Sequence, residues 1–172
     1  MLMVDLCAGL KGASRAMTER GWTVITLDVD PSFYPDIIAN VRDWTYQGQR
    51  PDLIWASPPC NEFSREFMPW NKTGQPPDMS IYWGCRRIID QAHPRFWIIE
   101  NVRGAVRYFG RPAQVFNPYY LWGFFPLLDR VDLSDRIFKE SLSHGQARAR
   151  AEIPYKLSLA VALSVERAIE LF

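Results

Sequence analysis

Asp52-Leu53-Ile54-Trp55-Ala56-Ser57-Pro58-Pro59-Cys60-Asn61-Glu62-Phe63-Ser64 runs from an apolar stretch straight into a stiff turn that carries a cysteine. The run from Asp52 to Ala56 is short and almost wholly apolar, the pattern of a strand buried on both faces of a parallel sheet. Two consecutive prolines then fix φ and remove two N–H donors, which stiffens the loop. Open α/β sheets place their ligands beyond the carboxyl ends of such strands. Cys60 is therefore a candidate nucleophile held in one place by its loop.

The same pattern recurs on both sides of this stretch. Met1 to Leu6 reads as a first strand, and Cys7-Ala8-Gly9-Leu10-Lys11-Gly12 as a tight turn into a helix over Ala13 to Arg20, capped by Gly21. Such a turn allows a ligand to approach the backbone closely. Thr23 to Leu27 is a second strand with Asp28 at its tip, where nucleotide-binding sheets hold a ribose. Ser32 to Ile38 is at best a short helix, because Pro35 interrupts it, and Ala39-Asn40-Val41 is a brief third strand.

Downstream, residues 61 to 78 lack periodicity and follow the candidate nucleophile directly, which suits a lid over substrate. Met79 to Ala92 is a helix expected to turn Met79, Tyr82, Trp83, Cys85, Ile88 and Ile89 inward. Phe96 to Ile99 is a fifth strand, followed at once by Glu100-Asn101-Val102. Residues 103 to 118 interleave Arg103, Arg107 and Arg111 with aromatic rings, a pattern that fits a nucleic-acid strand. Tyr119 to Trp122 and Val131 to Phe138 are expected to form a final hairpin, and Pro154 to open a last helix reaching Phe172. The predicted architecture is α/β: a doubly wound, mainly parallel sheet with helices on both faces and an antiparallel hairpin near the C-terminus, in one domain over residues 1–172.

Composition bounds the function. The chain has 172 residues, enough for one domain with a proper core. A formal net charge of +1 gives no bulk attraction to nucleic acid, so such a site would rest on local arginines. Cys7, Cys60 and Cys85 show no paired spacing and only two histidines accompany them, which disfavours a metal site or a disulfide scaffold. A reducing, cytoplasmic setting is expected, with no membrane span and no targeting arm.

Three polar clusters thus fall at successive strand ends: the glycine turn with Asp28, then Cys60, then Glu100. A thiolate with a nearby carboxyl suits attack on an electron-poor ring carbon while the acid hydrogen-bonds the ring. In order along the chain, Asp5-Leu6-Cys7-Ala8-Gly9-Leu10-Lys11-Gly12, Pro58-Pro59-Cys60-Asn61-Glu62-Phe63-Ser64, Glu100-Asn101-Val102 and Gln146-Ala147-Arg148-Ala149-Arg150 resemble the motifs of the DNA (cytosine-5) methyltransferases of bacteria and phages.

The resemblance implies a Rossmann-like methyltransferase fold and S-adenosylmethionine as methyl donor, leaving S-adenosylhomocysteine and using no metal. The donor site would comprise Asp5, Leu6, Cys7, Ala8, Gly9, Gly12, Asp28, Val29, Asn40, Val41 and Pro58, with Asp28 on the ribose and Asn40 and Val41 by the adenine. Cys60 would add to C6 of a flipped-out cytosine, Glu100 would hydrogen-bond N3 and the exocyclic amine, Pro59 would shape the pocket, and Arg148 and Arg150 would hold the base and loop. Ser64, Arg65, Arg103 and Arg107 would meet the nucleic acid. An ordinary thiol is only roughly 3% ionised at pH 7, so arginines and loop amides are expected to assist Cys60.

The departures from the family pattern are informative too. Cys7 replaces a phenylalanine that packs on the adenine, so the adenine site is looser or another ring has moved in. Asn40 replaces an aspartate acceptor. The variable target-recognition region that usually separates the paired arginines from the last helix is absent, since Arg150 runs into Ala151-Glu152-Ile153-Pro154. Recognition of DNA, as a duplex with a flipped cytosine or as a single strand, would then rest on the 103–145 loops and the lid, on a protein partner, or on self-association. RNA as substrate and a catalytically silent nucleic-acid-binding regulator remain the alternatives.

Overall fold

The structure, a computed structural model, describes residues 1–64, 75–133 and 152–171. Strands β1 (Leu2–Leu6), β2 (Thr23–Asp28), β3 (Ile37–Ile38), β4 (Leu53–Ala56), β5 (Phe96–Asn101), β6 (Gln114–Phe116) and β7 (Tyr119–Phe124) form one sheet in the order β3-β2-β1-β4-β5-β7-β6. The first five run parallel, and β7 lies antiparallel between β5 and β6. Helices α1 (Arg15–Glu19), α2 (Asn61–Ser64), α3 (Ser80–Ala92), α4 (Val106–Phe109) and α5 (Tyr155–Glu170), with 3-10 turns at Pro31–Phe33 and Arg103–Ala105, complete the described elements. The doubly wound, mainly parallel α/β sheet expected from the sequence is present. No described helix is long and apolar enough to cross a membrane.

Strand alternation builds the two layers. Met3, Leu53, Trp55 and Ile98 face α1 and α5, where Ala16, Met17, Leu157, Val161 and Val165 pack against them. Their neighbours Val4, Leu6, Ile54, Ala56 and Ile99 face α3, against Cys85, Ile88 and Ile89. Consecutive side chains of a strand point to opposite faces, so both must be apolar when both are covered. This is why β4 and the Phe96–Ile99 part of β5 read as continuous apolar runs; in β1 the buried Asp5 interrupts the run. The topology places the C-terminal ends of β1, β4 and β5 side by side.

Four details differ from the sequence expectation. The third strand is Ile37–Ile38 rather than Ala39–Val41. Asp36 sets its register: its carboxylate accepts from the Thr26 N–H (2.8 Å) and hydroxyl (2.7 Å), which pins the chain beside β2. Asn40 then ends it, because its side-chain oxygen accepts from the Arg42 N–H (3.0 Å) and its carbonyl accepts from Asp43 and Trp44. Before β3 lies only a 3-10 turn, Pro31–Phe33, rather than a helix over 32–38.

The hairpin pairs β7 with β6, which precedes it, not with a later strand. Gln114 accounts for this, since its amide donates to the Leu128 carbonyl (3.2 Å) and accepts from the Leu128 N–H (2.9 Å), holding the chain beyond β7 as a non-strand segment. Residues 131–133 are not strand, and 134–138 lie outside the described residues. Finally, Trp83 is 61% exposed instead of inward. It sits beside the buried stripe of Gly84, Cys85, Ile88 and Ile89 and leans edge-on against Tyr82.

Candidate active site

The turn after β1 is wound tightly. Cys7, Gly9 and Lys11 have φ of 57°, 49° and 60°, in the left-handed region. For Cys7 and Lys11 this conformation costs on the order of 1–2 kcal/mol each, a strain that the surrounding bonds must hold. They do so from three directions. The Ala8 N–H donates to the Leu27 carbonyl (3.1 Å), the Gly9 N–H to Asp28 Oδ2 (2.9 Å), and Lys11 Nζ to the Tyr34 carbonyl (2.6 Å). Asp28 Oδ1 also accepts from the Asp30 N–H (2.9 Å). Asp28 is thus a brace for the glycine turn as well as a group at the strand tip.

Below this turn lies a pocket of about 160 Å³, lined by Asp5, Cys7, Ala8, Gly9, Leu10, Gly12, Ala13, Phe33, Ser57, Glu152 and Ile153. Asp5 is 1% exposed, and neither of its oxygens meets hydrogen-bond geometry with a partner among the described residues. Burial, the largest influence, raises its carboxyl to about 7, while the nearby Ser14 hydroxyl pulls the other way. A buried carboxyl with so little to satisfy it, lining a pocket, calls for a donor or a cation to complete it. Gly12 is required by a close approach: a Cβ there would lie 2.6 Å from the Ile153 carbonyl oxygen. Gly12→Ala should therefore push the segment before α5 away and destabilise the fold by about 1–3 kcal/mol, with loss of donor affinity, as read by thermal unfolding and calorimetric titration.

Of the lining residues, Asp5 and the turn from Cys7 to Gly12 are legible in the sequence, whereas Ala13, Phe33, Ser57, Glu152 and Ile153 are not. Phe33 brings a ring to the site where Cys7 replaces the expected one. The other expected donor-site residues are not in the pocket's lining. Leu6 is fully buried in the α3-side core, Val41 is 3% exposed in the same core, and Val29 is 64% exposed. Asn40 is half-buried, its side-chain oxygen already engaged by Arg42. Burial and the neighbouring Cys85 thiol both hold Cys7 in its neutral form, the Cys85 hydrogen bond being the larger influence.

Cys60 lies three residues after the pocket-lining Ser57, in the loop between β4 and α2. Its carbonyl accepts from the N–H groups of Phe63 and Ser64 (both 3.0 Å) and from the Ser64 hydroxyl (2.6 Å). Trp55 Nε1 donates to Ser57 Oγ (2.8 Å), and the Ser57 N–H donates to the Leu6 carbonyl (3.1 Å), which ties the loop root to β1. Asn101 holds the loop from the other side. It is 1% exposed, and its Nδ2 donates to the Pro58 carbonyl (2.8 Å). Pro58 is buried and Pro59 exposed, so the first proline is packed and the second faces outward.

In the sequence Asn101 stands only as part of a motif, and its bond to Pro58 assigns it a positioning role. Asn101→Ala should cost about 1–3 kcal/mol of stability, because the buried Pro58 carbonyl loses its partner. It should also slow alkylation or substrate attack at Cys60 with little change in donor affinity.

Glu100, half-buried at the end of β5, faces the thiol closely enough that its charge acts on it. Burial first, and then the Glu100 charge, push the Cys60 thiol up, while the backbone and Ser64 pull the other way. The expected assistance from arginines is therefore not what governs the thiol among the described residues. Phe63, from the cysteine's helix, packs against Tyr108 and Phe109 of α4 (ring centroids 5.9 and 4.9 Å), which anchors α2. Arg103 and Arg107 are exposed on the segment following β5, and Ser64 is half-buried. Arg65, Arg148 and Arg150 lie outside the described residues.

Residues 1–112 match the model of the C-5 cytosine-specific DNA methylase family. The chain belongs to that family. A curated relative, the "probable DNA (cytosine-5)-methyltransferase" of Frog virus 3 (isolate Goorha), is 36% identical over 70 residues, which cover 38% of this chain and 31% of the relative. The match thus spans about a third of that relative's length. Among solved structures, a DNA modification methyltransferase encoded within an E. coli prophage is 20% identical with a TM-score of 0.49, covering 64% of this chain and 35% of the other. The Entamoeba histolytica methyltransferase EhMeth is 15% identical with a TM-score of 0.48, covering 77% and 56%. The strand order and the family match together identify the sheet as the Rossmann-like fold of the S-adenosylmethionine-dependent methyltransferases.

Proposed function

We propose that the chain is a DNA cytosine-5 methyltransferase acting through a covalent Cys60 adduct. The observation that carries this reading is the pairing of Cys60 with Glu100 at the ends of adjacent parallel strands, beside a glycine-turn pocket on the next strand. S-adenosylmethionine supplies the methyl group when bound. Asp5, Gly9, Gly12, Phe33 and Ser57 would hold the donor, with Asp28 fixing the turn around it.

The protein's own work falls on Cys60 and Glu100. Cys60 gives up its proton to solvent, and its sulfur forms a bond to C6 of the target ring. The C5–C6 π pair becomes available at C5, and Glu100, as the protonated acid, donates to N3 as charge develops there. C5 takes the methyl group, leaving S-adenosylhomocysteine, and loss of the C5 proton to solvent then re-forms the double bond and expels the Cys60 sulfur. The Pro58–Asn101 bond keeps the sulfur on one trajectory through both bond changes. A base inside a duplex must first leave the stack, at a cost of a few kcal/mol. Exposed Arg103 and Arg107, together with Ser64, would contact the strand.

The test is incubation with methyl-labelled S-adenosylmethionine and either DNA or RNA, followed by nucleoside analysis. Label in 5-methylcytosine of DNA is expected. Label in RNA alone would transfer the reading to an RNA substrate. Binding without label would overturn it in favour of a silent regulator, and so would dependence on a different donor.

A further inference from the structure

The chemistry of Cys60 and Glu100 leaves a cluster of rings beside them without a part. Phe109, the last residue of α4, meets aromatic side chains from three other elements. The ring of Phe63, on α2, lies 4.9 Å away with its plane crossing at 73°. Tyr82 of α3 stacks on Phe109 at 4.1 Å and 24°, and Trp122 of β7 meets it at 5.1 Å and 72°. Ring pairs at such separations and angles attract beyond the area they bury, and they do so directionally. We propose that Phe109 is a positioning residue for the methylation reaction, its ring fixing the helix that follows Cys60 relative to the strand that carries Glu100. This deepens the reading of Cys60 as nucleophile and rests on it.

Both sides of the contact are anchored. On the strand side, Trp122 is buried and pairs with Ile99, the residue before Glu100, in the ladder between β5 and β7. Its Nε1 donates to the Gly110 carbonyl (2.8 Å), which ties the residue after Phe109 to the sheet. On the nucleophile side, α2 is a single turn over Asn61–Ser64, too short to be stable without tertiary packing. Phe63 is the buried residue of that turn, so its ring contacts decide where the turn lies. The Phe63 N–H donates to the Cys60 carbonyl (3.0 Å), and a displaced Phe63 therefore carries the Cys60 backbone with it. Cys60 thus lies between two fastenings: Pro58 before it, held by Asn101, and Phe63 after it, held by Phe109.

The experiment compares Phe109→Ala and Phe109→Leu with the wild-type chain in three readouts. These are methyl transfer to DNA, calorimetric titration with S-adenosylhomocysteine, and iodoacetamide alkylation of each cysteine peptide followed by mass spectrometry. In Phe109→Ala, kcat should fall about 10- to 100-fold, the scale of a misplaced reacting group. The KM for S-adenosylmethionine and the affinity for S-adenosylhomocysteine should stay within about twofold. Alkylation of Cys60 should become about three- to tenfold faster, with its rate–pH curve displaced to lower pH. The sign follows from burial, which is the largest influence keeping the proton on this thiol and which a released α2 would relieve. Cys85 is fully buried and reports opening of the whole fold, so its alkylation should not change. Leucine keeps apolar bulk without the flat faces, and Phe109→Leu should show the same separation of kcat from donor affinity at a smaller scale.

Unchanged kcat per folded molecule in both variants would overturn the proposal and leave Phe109 as packing alone. So would alkylation of Cys60 and Cys85 rising together, or donor affinity lost in proportion to kcat. A wild-type chain without methyl transfer would overturn the reading of Cys60 as nucleophile, and the alkylation comparison would still decide whether Phe109 places the helix beside it. Should Phe109→Ala fail to fold, Phe109→Leu carries all three readouts.

Discussion

Glu100→Gln is expected to lower methyl transfer by about two to four orders of magnitude, the range for removal of a general acid–base group, and at the same time to make Cys60 more reactive. The two effects have opposite signs because Glu100 acts on two different partners. Toward the cytosine ring it supplies, as the protonated acid, the hydrogen bond that stabilises charge as the sulfur adds. Toward the thiol, before substrate enters, its ionised form is a negative charge that, after burial, keeps the proton on. Glutamine keeps the shape and removes the charge.

Iodoacetamide modification of the Cys60 peptide, followed by mass spectrometry, should therefore be faster in Glu100→Gln at a given pH, with the rate–pH curve displaced to lower pH. The same labelling of Cys7 and Cys85 should be unchanged. Donor affinity should also be little altered, since Glu100 is not in the glycine-turn pocket. Slower alkylation in Glu100→Gln would mean that Glu100 helps Cys60 ionise, the reverse of a charge that holds the proton on the sulfur.

Cys60→Ser is expected to reduce methyl transfer at least about a thousandfold. A hydroxyl is a far weaker nucleophile than a thiolate at neutral pH. The substitution is close to isosteric, and the helix cap made by the Cys60 carbonyl uses the backbone, so folding and donor binding should persist. Circular dichroism and titration with S-adenosylhomocysteine distinguish a lost nucleophile from a lost fold. Activity within tenfold of the wild-type chain would remove Cys60 from the chemistry.

The parallel core was legible because each of β1, β4 and β5 is covered on both faces. That burial favours an apolar run, broken in β1 only by Asp5, and the polar residues at or after the end of each run mark the ligand edge. Cys60 and Glu100 could be paired for the same reason, as they end neighbouring runs. What escaped the sequence depends on contacts between distant residues. The register of β3 is fixed by Asp36 reaching back to Thr26, and the hairpin partner of β7 by Gln114 bonding Leu128. No local propensity encodes either bond.

The pocket wall formed by Glu152 and Ile153 was hidden for a similar reason, because only the fold brings that segment against Gly12. Its one sequence trace is Pro154, which starts the last helix and leaves the residues before it as loop. Asn101 lies within a recognisable motif, yet its role becomes visible only from its bond to the Pro58 carbonyl. Trp83 shows the opposite error: a hydrophobic residue near a helical stripe reads as part of it, but the helix turns it outward.

The most direct test of the central claim is covalent trapping on DNA that carries 5-fluorocytosine in place of cytosine, in the presence of S-adenosylmethionine. Fluorine at C5 cannot leave as a proton does, so the enzyme cannot expel its sulfur after methylation. A complex that survives denaturation, with the adduct mapped by mass spectrometry to Cys60 and absent from Cys60→Ser, is the predicted result. No complex, an adduct on another residue, or equal trapping by Cys60→Ser would contradict it.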